Sequence, residues 1–141
     1  MLAHQIPTAA TITLAAPLHG TIAGGQLTKL LPDISPLSYR PLIHSYFGPA
    51  GLDQLTDSPF LKNVPPQVAV GTRYTCIATR NDEVVVPVES CFLPGARNLT
   101  VQEKFPNKVV LHGMMPTDRS VQQLVIKAIA KATPPLAANP D

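Results

Sequence analysis

The stretch Tyr74–Pro87, YTCIATRNDEVVVP, places two acids directly after a run that is typical of a buried strand. Tyr, Thr and Ile dominate its first half, and these residue types favour β-structure. We therefore predict a strand over 68–79, followed by Asp82 and Glu83. Ligands of open α/β sheets bind at the carboxyl ends of the strands. An acid at this position is a candidate for catalytic chemistry.

A histidine occupies a similar setting later in the chain. Residues 109–111, VVL, form a short apolar run that predicts another strand, and His112 follows it directly. An acid after one strand and a later histidine after another is the second half of the order Ser…Asp…His found in some hydrolases. In that arrangement Asp82 orients the imidazole and His112 is the base. The first member, a serine in G-x-S-x-G, is absent from all 141 residues.

Three other residues are candidates for the same roles. Glu83 adjoins Asp82, but neighbouring side chains of an extended segment point in opposite directions, so only one of them should face His112, and Asp82 is favoured. His19 also follows a strand-like run, and we interpret it as a loop histidine that bonds backbone groups. A pairing of Cys91 with His112 is a third, unsupported alternative.

Composition limits the class of protein. The hydrophobic share is 45%, which is enough for a packed core, and the net charge is +2 with the basic residues scattered. Neither nucleic-acid binding nor a membrane-spanning segment is indicated. The first twenty residues lack the features of a signal peptide. Cys76 and Cys91 could pair in an oxidising compartment, but two buried thiols are the favoured interpretation.

The remaining pattern predicts an α/β fold with about three parallel strands and flanking helices. Strands are predicted over 10–16, 68–79 and 98–103, and an amphipathic helix begins after Asp118. The proline-rich span 22–66 is predicted as a lid or substrate loop with short helices near 25–31, 50–55 and 59–64. Its apolar and aromatic residues could line an acyl pocket, although for any one of them packing of the connection onto the sheet is the favoured alternative: Leu37, Tyr39, Leu42, Ile43, Tyr46 and Phe47.

Several segments in this order resemble a known family. They are TITLAAPLHGT, GLDQLTDSPFLKNV, YTCIATRNDEVVVP, NLTVQE and the run that starts at LHG and continues into the last helix. Together they are similar to the C-terminal half of bacterial secreted triacylglycerol lipases, the class 2 lipase group of the α/β-hydrolase superfamily. The resemblance covers about residues 11–131. It implies that Asp82 is the triad acid and His112 the triad base.

The resemblance also implies a partial α/β-hydrolase fold. Residues 1–133 would be the C-terminal part of one domain, and 134–141 a disordered tail. The family's nucleophile and oxyanion donors belong to an N-terminal half that is not among these residues. The complete enzyme would be secreted, its signal peptide would lie upstream, and it would act on a lipid or small ester without cofactor or metal. The alternative is a non-catalytic interaction module that associates through an open sheet edge.

Overall fold

The sheet of this protein has three parallel strands. A computed structural model describes residues 8–22, 25, 33, 35–63, 67–68 and 70–132. The strands are β1 (Ala10–Leu14), β2 (Arg73–Ala78) and β3 (Arg97–Thr100), in the spatial order β1-β2-β3. The predicted α/β arrangement of three parallel strands with flanking helices is therefore confirmed.

Five α-helices lie in the described part of the chain: α1 (Arg40–Phe47), α2 (Pro49–Asp53), α3 (Pro59–Asn63), α4 (Val101–Lys104) and α5 (Arg119–Ala132). Short 3₁₀ turns occur at Pro36–Tyr39, Val88–Cys91 and His112–Met114. Helix α1 was not predicted. It tolerates Pro41 because proline fits the first turn of a helix, where its missing N–H has no intrahelical partner.

Helix α5 covers one face of the sheet. Its first turn is capped by Asp118, whose Oδ1 accepts the N–H of Ser120 at 2.8 Å. Val121, Leu124 and Ala128 are buried and belong to the predicted apolar face, together with the partly buried Val125. The spacing of apolar residues places Ile129 on the same face, but its side chain is 51% exposed. The buried side chains pack with Ile77 of β2 and Leu99 of β3, so α5 closes the main core.

The opposite face of β2 packs on the segment that follows Asp82. Ala78, Val85 and Cys91 form a second buried cluster there. Both cysteines are free thiols, and Cys76 and Cys91 are 0% and 1% exposed. The interpretation as buried thiols is confirmed. Both faces of β2 are covered, and its last four residues, 75–78, are all buried, as expected for a central parallel strand.

Two predicted strands have different limits in the structure. Strand β2 begins at Arg73 rather than Val68, and β3 ends at Thr100 rather than Glu103. The cause at Thr100 is a capping box, in which the Glu103 side chain accepts the N–H of Thr100 at 3.0 Å. This reciprocal bonding starts α4 and removes residues 101–103 from the sheet.

The predicted strand over 109–111 is wrong. These residues form no regular element, and Val109 is 62% exposed. The carbonyl of Val110 accepts the hydroxyl of Thr79 at 2.7 Å, and the carbonyl of Leu111 accepts the N–H of Met114 at 3.0 Å, so neither bonds a neighbouring strand. His112 therefore follows an extended loop rather than a strand.

Strand β1 lies at one end of the sheet. It pairs with β2 on one side, with Ile12 opposite Thr75, and no other described strand pairs with its second edge. The proposed helix at 25–31 and the tail 134–141 fall largely outside the described residues. Within the described ranges, no helix has the length and apolar character needed to cross a membrane.

Candidate functional site

Asp82 and His112 contact each other beyond the carboxyl end of β2. Asp82 lies four residues after Ala78, and His112 opens the turn His112–Met114. Nδ1 of His112 is 3.1 Å from Oδ2 and 3.2 Å from Oδ1 of Asp82. The structure thus brings together the two residues that the sequence nominated. Their catalytic role stays a prediction.

Backbone groups hold the Asp82 carboxylate in place. Its Oδ1 accepts the N–H groups of Val84 at 2.9 Å and Val85 at 2.8 Å, and the side chain is 1% exposed. An ionised carboxylate only accepts, so the bond to His112 has Nδ1–H as its donor. The acid therefore fixes which ring nitrogen carries the proton.

The remaining ring nitrogen is available for chemistry. Nε2 of His112 makes no hydrogen bond with any described residue, and 32% of the side chain is exposed. The hydrogen bond with Asp82 raises the pKa of His112 above its usual value. Burial acts in the opposite direction, whereas the charges of Asp82 and Glu83 add to the increase. The ring is thus a stronger base than a free imidazole.

Glu83 also contacts His112, contrary to the prediction that only one acid could face it. Oε2 of Glu83 accepts the backbone N–H of His112 at 3.0 Å. The alternation rule fails because residues 83–87 form a series of bends, not an extended strand. Asp82 therefore holds the imidazole, and Glu83 holds the backbone of the same residue.

Gln102 of α4 links the two loops that carry the acid and the base. Its Nε2 lies within hydrogen-bonding distance of Thr79 Oγ1 (3.1 Å), Asn81 Oδ1 (2.9 Å) and the carbonyl of Lys108 (2.9 Å). Its Oε1 accepts the N–H of Arg80 at 2.9 Å. Sequence reasoning missed this residue, and the capping-box pattern T-V-Q-E was the only signal near it.

His112 lines an apolar cleft of about 260 Å³. One wall comes from Val84 and Val85, and another from α1 and the segment after α2 through Ile43, Phe47 and Leu55. Two of the predicted acyl-pocket residues, Ile43 and Phe47, therefore line the cleft. Leu42 is instead 53% exposed and lies outside the lining. Nothing is described of the side chains of Leu37 and Tyr46.

The loop after β1 joins the walls of this cleft. Thr21 bridges to Leu55, and its hydroxyl donates to the carbonyl of Val84 at 2.7 Å. His19 lies in the same loop, and its Nε2 contacts the carbonyl of Phe92 at 2.9 Å. The interpretation of His19 as a loop histidine that bonds the backbone is confirmed. The loop therefore joins the walls of the cleft, and Nε2 of His19 is occupied by the carbonyl of Phe92.

No nucleophile is paired with His112 among the described residues. All six serines lie within them, none is hydrogen-bonded to the imidazole, and none sits in G-x-S-x-G. Burial raises the pKa of the Cys91 thiol to about 12, so this residue does not supply a thiolate at neutral pH. Within the described ranges, no cluster of three or more His, Cys, Asp or Glu side chains could hold a metal ion.

Comparisons with known proteins give no match: no protein-family model matches the chain, and no curated protein matches it. The family resemblance is therefore a hypothesis that depends on the motifs and on the geometry of the site.

Proposed function

We propose that this chain carries the acid and the base of a Ser–Asp–His triad in a partial α/β-hydrolase fold that acts on carboxylic esters, as lipases and esterases do. The observation that carries the proposal is the contact of Asp82 with Nδ1 of His112, at 3.1 Å, beside an apolar cleft. In a triad the aspartate holds the imidazole in the tautomer whose Nε2 can accept a proton.

Each residue then has a defined task. Nε2 of His112 takes the proton of a serine hydroxyl as the serine attacks the ester carbonyl, and returns it to the leaving alcohol. Asp82 stabilises the imidazolium between these steps. The serine and the oxyanion donors would come from polypeptide beyond these 141 residues, because no G-x-S-x-G occurs in them.

The cleft suggests the substrate class. Ligand pockets usually measure roughly 300–1,000 Å³. A cleft of about 260 Å³ with Val84, Val85 and Leu55 in its walls suits a short apolar acyl group better than a long one. We therefore favour esters of short-chain acids.

Hydrolysis of p-nitrophenyl butyrate tests this proposal. The full-length product of the gene should hydrolyse it, and Asp82→Asn or His112→Gln should each lower kcat by about 10³-fold or more. Glu89→Gln, a change at an exposed acid outside the cleft lining, should leave kcat unchanged. The 141-residue chain alone should show no turnover that depends on His112. Turnover that is lost with His112→Gln in this chain would place the nucleophile within it and overturn the assignment.

A second candidate function is an interaction module without catalysis. The second edge of β1, unpaired among the described strands, favours it because an open strand edge invites a further strand. Under this proposal no form of the protein hydrolyses the ester. Sedimentation of the chain would instead show self-association, and a proline at Ile12 should weaken it.

A further inference from the structure

The loops that carry Asp82 and His112 are joined by few direct bonds. Neither loop belongs to the sheet, so no ladder of backbone hydrogen bonds fixes their separation. One direct link is the hydroxyl of Thr79, which donates to the carbonyl of Val110. Asp82 and Glu83 also bond His112 directly, and further links pass through a side chain from a third element, Gln102 of α4.

Gln102 is buried, at 9% exposure, and every polar atom of its side chain is used. Its Oε1 and Nε2 together bond three consecutive positions of the first loop, Thr79 to Asn81, through two side-chain oxygens and one backbone N–H. Nε2 also bonds the carbonyl of Lys108 in the second loop. The amide oxygen accepts, and the two N–H groups of Nε2 are shared among the three acceptors that lie within hydrogen-bonding distance.

We propose that Gln102 is a positioning residue that sets the separation between the Asp82 carboxylate and the His112 imidazole. Asn81 directly precedes Asp82, and Lys108 lies four residues before His112. The Gln102 amide therefore bonds each loop close to the residue that carries the proposed function. The proposed function supplies only the reason why the separation between the two side chains matters. The geometry stands without it.

An isosteric apolar substitution, Gln102→Met, should loosen both loops. It keeps the length and volume of the side chain but leaves the N–H of Arg80 and the carbonyl of Lys108 without their partner. The acids that contact His112 are Asp82 and Glu83. A longer distance to Asp82 weakens the hydrogen bond that favours the imidazolium, so the pKa of His112 should fall toward its usual value.

The matched control is Glu103→Ala in the same short helix. Glu103 caps α4 by accepting the N–H of Thr100, and it bonds neither loop. Its loss should destabilise α4 as a structural element while leaving the two loops attached to Gln102. A residue that acts only through overall stability would give the same result in both variants.

The measurement is an NMR titration of the four histidines, with the His112 signal assigned from its loss in His112→Gln. The midpoint of His112 should move down in Gln102→Met and stay unchanged in Glu103→Ala. An unchanged midpoint in Gln102→Met, or equal shifts in both variants, would overturn the proposal.

Asn81→Ala provides a second test if Gln102→Met does not fold. Asn81 is exposed and contributes one of the three acceptors, so its loss should be tolerated and should lower the same midpoint by less. No change in this variant would also overturn the proposal. The titration needs no turnover, so the absence of ester hydrolysis would not affect the conclusion about Gln102. An unchanged midpoint, in turn, would not affect the conclusion from the ester assay.

Discussion

Nδ1 of His112 lies 3.1 Å from Oδ2 of Asp82, in a pair whose acid is 1% exposed and whose base is 32% exposed. The buried partner is held by backbone N–H groups, and the more exposed imidazole faces the cleft. The pair therefore combines a fixed acid with an accessible base. The triad proposed above needs such a pair, in which the acid stays fixed and the imidazole can reach a reacting group.

The pair should make stability depend on pH. The pKa of His112 is raised in the folded state, so its contribution is complete below its unfolded value of about 6.5 and is lost as the pH rises through the folded pKa. Urea unfolding across this range should show a falling free energy of unfolding. The fall should shrink in His112→Gln and persist in His19→Gln. Identical curves for the wild type and His112→Gln would contradict this.

The ion pair between Lys108 and Asp118 should make stability depend on pH in the acid range. Nζ of Lys108 lies 2.9 Å from Oδ2 of Asp118, and this bond lowers the pKa of Asp118, with help from the N–H groups of Ser120 and Val121 and against the effect of burial. Its stabilising contribution is present above the unfolded value of 3.8 and is lost as the pH falls through the folded pKa.

Replacing either of two lysines distinguishes the bond between Lys108 and Asp118 from the general effect of removing a positive charge. Lys108→Met should lower the free energy of unfolding at neutral pH and reduce its loss on acidification. Lys104→Met removes an exposed lysine of α4 and should do neither. Urea unfolding near neutral and acid pH measures both, and equal effects of the two substitutions would exclude a specific role for the pair.

Gly20 should resist substitution more than Gly71. Both have positive φ, +84° and +82°, so alanine at either position costs about 1–2 kcal/mol of backbone strain. A Cβ on Gly20 would also lie 2.7 Å from backbone atoms of Thr56, whereas a Cβ on Gly71 would meet no atom within 4 Å. Gly20→Ala should therefore cost at least about 1 kcal/mol more. Equal urea midpoints for the two variants would contradict this, because they would show that the backbone around Gly20 moves to accommodate the Cβ without loss of stability.

The thiols should be unreactive in the folded protein. Cys76 and Cys91 are 0% and 1% exposed, and burial raises the pKa of Cys91 to about 12. Ellman's reagent near pH 8 should therefore react at the rate of protein unfolding and titrate both thiols at once in urea. Rapid reaction of one thiol in the native protein would show that its cluster opens locally.

Capping residues in the sequence correctly predicted where helices begin, because a helix end is fixed by residues next to it in the chain. Asp118 caps α5, and Ser58 caps α3 by accepting the N–H of Leu61 at 3.2 Å, as their positions before each helix predicted. The α/β arrangement of about three parallel strands also followed from the apolar runs and the segments between them, and the structure confirms it. Both kinds of signal are visible within a few residues of chain.

Sheet membership could not be predicted in the same way, because it depends on distant partners. The run 109–111 has the composition of a strand, but the carbonyl of Val110 bonds the Thr79 hydroxyl. The contact of Glu83 with His112 depends on the bends that follow Asp82. Gln102 carries no periodic or motif signal for its loop contacts. Candidate residues could therefore be chosen from the sequence, whereas their supporting bonds could not.

The bonds from Val84 and Val85 to Asp82 have a consequence for native-state hydrogen exchange. These two amide protons are held by a side-chain carboxylate and not by a backbone carbonyl. Their exchange rates therefore report whether Asp82 stays in place, separately from the opening of the sheet. Exchange at these two adjacent valines therefore measures the position of the acid in the protein without any bound ligand.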